Sequence, residues 1–143
     1  MAQIIFQAWL DRVANHVLVD DFAGWADTMG KPIRIISPAG YSEFKDERML
    51  REKFDQWRTL IVIQRLTNMI RVAHDVSFMT DDMIVGAYTT DLLSQGHRIM
   101  PRFESSMILS RQTGVWRATE LKSGMTVAHR HLIHTNTPRG GPA

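Results

Sequence analysis

Two ionisable side chains stand where strand alternation would bury them, and a buried ionisable group is a common instrument of proton transfer. The first is Glu120, in the run VWRATELK. There Trp116, Ala118 and Glu120 share one face, and Val115, Arg117, Thr119 and Leu121 the other. The Trp116 face is the apolar one, so alternation turns Glu120 inward, where a desolvated carboxyl suits a general acid or base. A register slip of one residue and a salt bridge to an arginine near the open end of the fold are the alternatives. The second is His74, between Val72 and Val76 on the apolar face of an earlier strand. A neutral imidazole there can shuttle protons, or it can be a hydrogen-bonded core residue.

Other candidates are weaker. His129, His131 and His134 form HRHLIH, and the first two lie on one side of a strand at a spacing that could hold a metal. No carboxylate stands beside them, so no metal site is assigned, and no cofactor is implied. Arg102 and Glu104 flank Phe103 and face outward, toward cross-strand or cross-dimer partners or toward solvent. No P-loop, dinucleotide-binding glycine pattern or serine elbow is present. The absence of cysteine excludes disulfides and thiol catalysis.

The elements that must position these groups follow from periodicity. Phe6, Trp9, Leu10, Val13, Val17 and Leu18 make one apolar face of a helix over 3–18. Asp20 can cap a short second helix carrying Phe22, Trp25, Ala26 and Met29, with Gly30 and Pro32 as its stop. Ile33–Ile36 is a short strand and SPAGYSE a turn. Asp46 can cap a third helix with Met49, Leu50, Phe54, Trp57 and Ile61 on one face. Four long strands follow, over 66–79, 84–93, 99–109 and 115–127. In the first of them Ile70, Val72, His74, Val76 and Phe78 share a face. Short turns, among them TDDM, SQGH and RQTG, make successive strands antiparallel. Three helices followed by such a sheet give an α+β class, with the helices gathered on one face.

Bulk properties set the frame. The 143 residues suit one domain, over 1–135, with a Pro/Gly-rich tail over 136–143 expected to fray. With 17 basic against 15 acidic residues there is no basic stripe, so no nucleic-acid partner is expected. No apolar run is long enough to span a membrane, and the start MAQIIF lacks the basic opening of a secretory leader. Together these point to the cytoplasm.

The order of elements resembles the nuclear-transport-factor-2-like superfamily, which includes ketosteroid isomerase, scytalone dehydratase and the SnoaL-like cyclases. The stretch DDMIVGAYTTDLLSQGHRIMPRFESSMILSRQTGVWRATEL carries most of the likeness, with FAGWADTMG and its following strand. The resemblance implies a cone: a curved, mainly antiparallel sheet with three N-terminal helices packed in its concave face and a deep apolar pocket at the open end. It also implies a homodimer through the outer sheet face, here Val85, Ala87, Ser106, Ile108 and Leu121. Where isomerase-type members carry an inward acid on the third long strand, this chain has Ser105. In the region of their general base the only acid is Glu43. Counted from Gly114, the inward position after the hairpin is Glu120. Trp25, Tyr41, Trp57, Tyr88 and Trp116 fall where such folds line a pocket or core.

Two functions follow. One is a cofactor-independent isomerase, dehydratase or cyclase acting on a small apolar substrate by proton transfer. Glu120 would be its acid or base and His74 the partner, while Trp25, Tyr41, Tyr88, Ser105 and Trp116 hold the substrate in a cavity of roughly 300 Å³ or more. The other is a non-catalytic ligand-binding or assembly module with the same pocket.

Overall fold

The computed structural model describes residues 1–124. The histidines at 129, 131 and 134, the end of the expected last strand and the 136–143 tail lie outside the described residues. Helices α1 (Ala2–Leu18), α2 (Phe22–Asp27) and α3 (Glu47–Gln64) pack on one face of a curved, mostly antiparallel sheet. Its strands are β1 (Met29–Ser37), β2 (Gly40–Phe44), β3 (Asn68–Thr80), β4 (Met83–Ser94), the two-residue β5 (His97–Arg98), β6 (Phe103–Gln112) and β7 (Val115–Lys122). The order across the sheet is β2-β1-β7-β6-β4-β3, with β5 beside β4. All pairs are antiparallel except β1 with β7. The α+β class and the concave seating of the helices match the sequence expectation.

The helices form where amphipathic periodicity and caps coincide. α1 buries Phe6, Trp9, Leu10, Val13 and Val17. The Asp46 carboxylate accepts from the Met49 amide at 2.9 Å and starts α3. Asp21, rather than Asp20, caps α2, accepting from the Gly24 amide at 3.0 Å. Asp20 instead pairs with Arg58 of α3. α2 ends at Asp27, and Met29 and Gly30 already belong to β1. The expected SPAGYSE turn is shorter than its seven residues, because Gly40–Phe44 pairs back on β1 as a strand. At Gly86 of β4 the first helix comes so close that a Cβ would lie 2.8 Å from the Phe6 ring.

Two bulges decide which side chains face the helices. In β3 the register jumps between His74 and Ser77, where Asp75 has φ +54°. Before the jump Met69, Arg71 and Ala73 face inward and Ile70, Val72 and His74 outward; after it Val76 packs on the core. The shared apolar face expected for Ile70 through Phe78 is therefore split, and Ile70 and Val72 stay 44% and 53% exposed. In β7, Leu109 pairs with Ala118 but Ile108 with Glu120, leaving Thr119 as the extra residue. Thr119 is tied down by the Ser110 hydroxyl at 3.0 Å. Trp116 and Ala118 precede the bulge and Glu120 follows it, so Glu120 turns outward and Leu121 inward. That reverses the expectation for both residues. No helix among the described residues is long and apolar enough to cross a membrane.

Candidate functional site

Between the helices and the sheet lies a cavity of about 90 Å³. Each helix contributes a tryptophan to its wall: Trp9 from α1, Trp25 from α2 and Trp57 from α3. The sheet supplies Arg71, Tyr88, Thr90, Phe103 and Ser105. The volume falls well below the roughly 300 Å³ expected of a ligand-sized cavity. The inward aromatic side chains are the reason: they occupy space that smaller residues would leave open.

The sequence candidates separate into two groups. Trp25, Tyr88 and Ser105 come together in the cavity wall. Glu120, His74, Tyr41 and Trp116 do not. Glu120 lies on the outer face and meets Arg34 at 3.0 Å, so both alternatives weighed for it, the register slip and the arginine pair, are present in the fold. His74 also lies on the outer face, between Asp75 at 3.0 Å and Glu104. Its hydrogen bond to Asp75, with that to Glu104, raises its pKa above the ordinary imidazole value. Tyr41 is 62% exposed on the edge strand β2. Trp116 packs against Phe78 and lines a separate open depression with Arg12 and His16. Glu43, near the place of the family's base, pairs with Lys45 at 3.8 Å. Arg102 and Glu104 both find partners, Asp91 and His74 respectively.

Sequence reasoning missed Arg71, Trp9 and Thr90. Arg71 pairs with Thr90 across β3 and β4, and both face the cavity. The guanidinium carbon sits 5.8 Å from the Trp57 ring centre and 5.7 Å from that of Tyr88, within cation–π range of both. Burial holds the Arg71 pKa below its ordinary value, opposed by the charge interaction with Tyr88. Burial also raises the Tyr88 hydroxyl, opposed by Arg71 and by a hydrogen bond with Ser105. A usable signal for Arg71 did exist: a lone arginine amid the aliphatics of NMIRVAHDV. It was lost because simple alternation assigned Ile70 and Val72 to the core and hence Arg71 to solvent.

The wall's chemistry is one-sided. Among the described residues lining the cavity there is no Asp, Glu or His. Arg71 Nε, Trp9 Nε1 and Thr90 Oγ1 are sealed from solvent and have no hydrogen-bond partner among the described residues. Lys53 adds a second cation to the wall. The arrangement can hold a small molecule against aromatic surface and donate hydrogen bonds to it. Among the described residues it offers no carboxylate or imidazole to remove a proton.

No protein-family profile matches the chain, and no curated protein matches it. Solved structures do. An NTF-2-like protein of unknown function from Shewanella oneidensis matches with TM-score 0.66 at 10% identity, over 85% of this chain and 98% of that one. A domain of unknown function with a cystatin-like fold from Nostoc punctiforme gives TM-score 0.66 at 10% identity, over 94% and 84%. A ketosteroid isomerase-like protein from Erwinia carotovora atroseptica gives TM-score 0.58 at 10% identity, over 84% and 92%. At such identities the likeness concerns the fold.

Proposed function

We propose that this chain, which has the NTF-2-like fold, is a small-molecule binding protein whose ligand sits in the cavity between the three helices and the sheet. The observation that carries the reading is the composition of the wall: tryptophans from all three helices facing Tyr88 and Phe103, with no acid or histidine among the described lining residues. Amphipathic helices need only bury apolar side chains, and three separate indoles converging on one residual space suit contact with a flat or compact apolar body. An isomerase-type reaction would need a base against the substrate, and the two ionisable candidates from the sequence are on the opposite side of the sheet. Binding without acid–base chemistry suits the residues that fill the cavity.

The test is intrinsic tryptophan emission in a Trp116→Phe background, titrated with small fragments, neutral and charged. Saturable changes from Trp9, Trp25 and Trp57 are expected. No saturable response to any fragment would overturn the reading.

The outer sheet face supports a second copy of the chain as partner. Ile70 and Val72 are exposed on β3, opposite Asp91 and Thr89, and Val85, Ala87 and Ile108 lie further along the same face, so apolar side chains stand on both sides of the His74–Glu104 pair. Light scattering at micromolar concentration should give twice the chain mass; a monomer would exclude this partner.

A further inference from the structure

Away from the cavity, Arg12 and His16 of α1 line an open depression of about 480 Å³ together with Trp116 and Val115. Four residues apart, they are neighbours on one helix face. His16 is held in one orientation. Its Nδ1 lies 3.0 Å from one oxygen of Asp21, whose other oxygen accepts from the Gly24 amide. The ring packs so closely on Gly24 that a Cβ there would lie 2.5 Å from His16 Cε1, so a bare backbone is needed to seat it. A carboxylate oxygen only accepts, so Nδ1 donates to it, and in the neutral ring Nε2 keeps the lone pair. Nε2 has no hydrogen-bond partner among the described residues and is not sealed from solvent.

Arg12 is exposed and has neither hydrogen bond nor ion pair among the described residues. Neighbouring charges are engaged: Asp27 with Arg117, and Arg111, which sits 5.2 Å from the Trp116 ring centre, with Asp82. A tie between α1 and α2 needs only Nδ1 and Asp21. It does not account for a free acceptor nitrogen, a free cation one turn away and a half-buried indole on the same depression. We propose that the depression is a second ligand site, separate from the cavity, and that it takes a phenolic acid: the ring against Trp116, the hydroxyl donating to His16 Nε2 and the carboxylate on Arg12. Each group selects one part of that class. The acceptor nitrogen calls for an O–H donor, which an unsubstituted benzoate or an inorganic anion with only acceptor oxygens lacks. The guanidinium calls for a carboxylate, and the indole for a flat apolar body. A cavity of about 150 Å³ holds benzene, so the depression has room for a substituted ring.

The experiment is calorimetric titration with sodium 4-hydroxybenzoate, against 4-methoxybenzoate, which cannot donate, and 4-hydroxybenzamide, which has no charge. 4-Hydroxybenzoate should bind roughly fivefold more tightly than the methyl ether, the gain of one ordinary hydrogen bond. It should also bind roughly fivefold more tightly than the amide at low salt, as expected of an exposed ion pair. His16→Phe should remove the first preference and Arg12→Gln the second. Arg12 is exposed and unpartnered, so its variant keeps the test open if His16→Phe fails to fold. Arg12 does not reach the cavity wall, so its effect also assigns the ligand to the depression. Equal binding of 4-hydroxybenzoate and 4-methoxybenzoate, binding unchanged in Arg12→Gln, or no binding of 4-hydroxybenzoate would each overturn the proposal.

Discussion

Replacing Glu120 by Gln should lower stability slightly and leave cavity binding unchanged. The carboxylate sits 3.0 Å from Arg34 Nη2 on the outer face, with side-chain exposures of 27% and 51%. At that distance the Coulomb attraction in full water dielectric is about 1.4 kcal/mol. Ordering two long side chains and screening by salt reduce it, and exposed pairs usually keep about 0.2–1 kcal/mol. For a chain of this length, 1 kcal/mol moves the melting temperature by roughly 3–5 °C. Glu120→Gln should therefore melt about 1–4 °C lower at moderate salt, and less than that in 1 M salt, where the screening length falls to about 3 Å. Arg34→Gln should show a similar loss, and the double variant should lose less than the sum, because only one interaction exists to remove. The assay is a double-mutant thermal cycle run beside fragment titration of each variant. A desolvated carboxylate inside the cavity would behave oppositely: its amide would match or exceed the parent in stability, and ligand affinity would fall. A higher melting temperature for Glu120→Gln combined with a tenfold loss of binding would refute this reasoning and show that the carboxylate faces the helices.

Other outcomes follow from the same geometry. Gly86→Ala places a methyl group 2.8 Å from the fully buried Phe6 ring and 2.9 Å from Val76 Cγ2, so it should cost about 1–3 kcal/mol by chemical denaturation; Phe6→Leu in the same chain should recover part of that loss. His74 has a raised pKa in the folded protein, mainly through Asp75. Its contribution is complete below the unfolded imidazole value near 6.5 and disappears as pH rises through the folded one, so His74→Gln should flatten the decline in melting temperature on the alkaline side of that value. Asp91 has a lowered pKa, first through its hydrogen bond with Arg102 and also through Arg98. Its contribution is present above the unfolded carboxyl value near 3.8 and is lost as pH falls through the folded one. Asp91→Asn should thus lower the melting temperature at neutral pH and have little effect in strong acid.

The helices, the strand-rich second half and the α+β class were legible before folding, because these depend on local patterns. The apolar face of α1 and the Asp46 cap each act within a few residues, and each is found where the pattern puts it. Part of the cavity wall was legible through the family likeness, which pointed to Trp25, Tyr88 and Ser105. Three features needed the folded chain. The parallel neighbour of β1 is β7, nearly ninety residues away in sequence, and no local signal names it. The edge strand β2 owes its extended form to pairing with β1. The bulges near Asp75 and at Thr119 arise where neighbouring strands must be matched across a curved sheet. An alternation of period two carries no memory of an inserted residue. One extra residue in each strand therefore exchanged inside for outside, sending Glu120 to Arg34 and leaving His74 on the outer face while Arg71 faced the cavity.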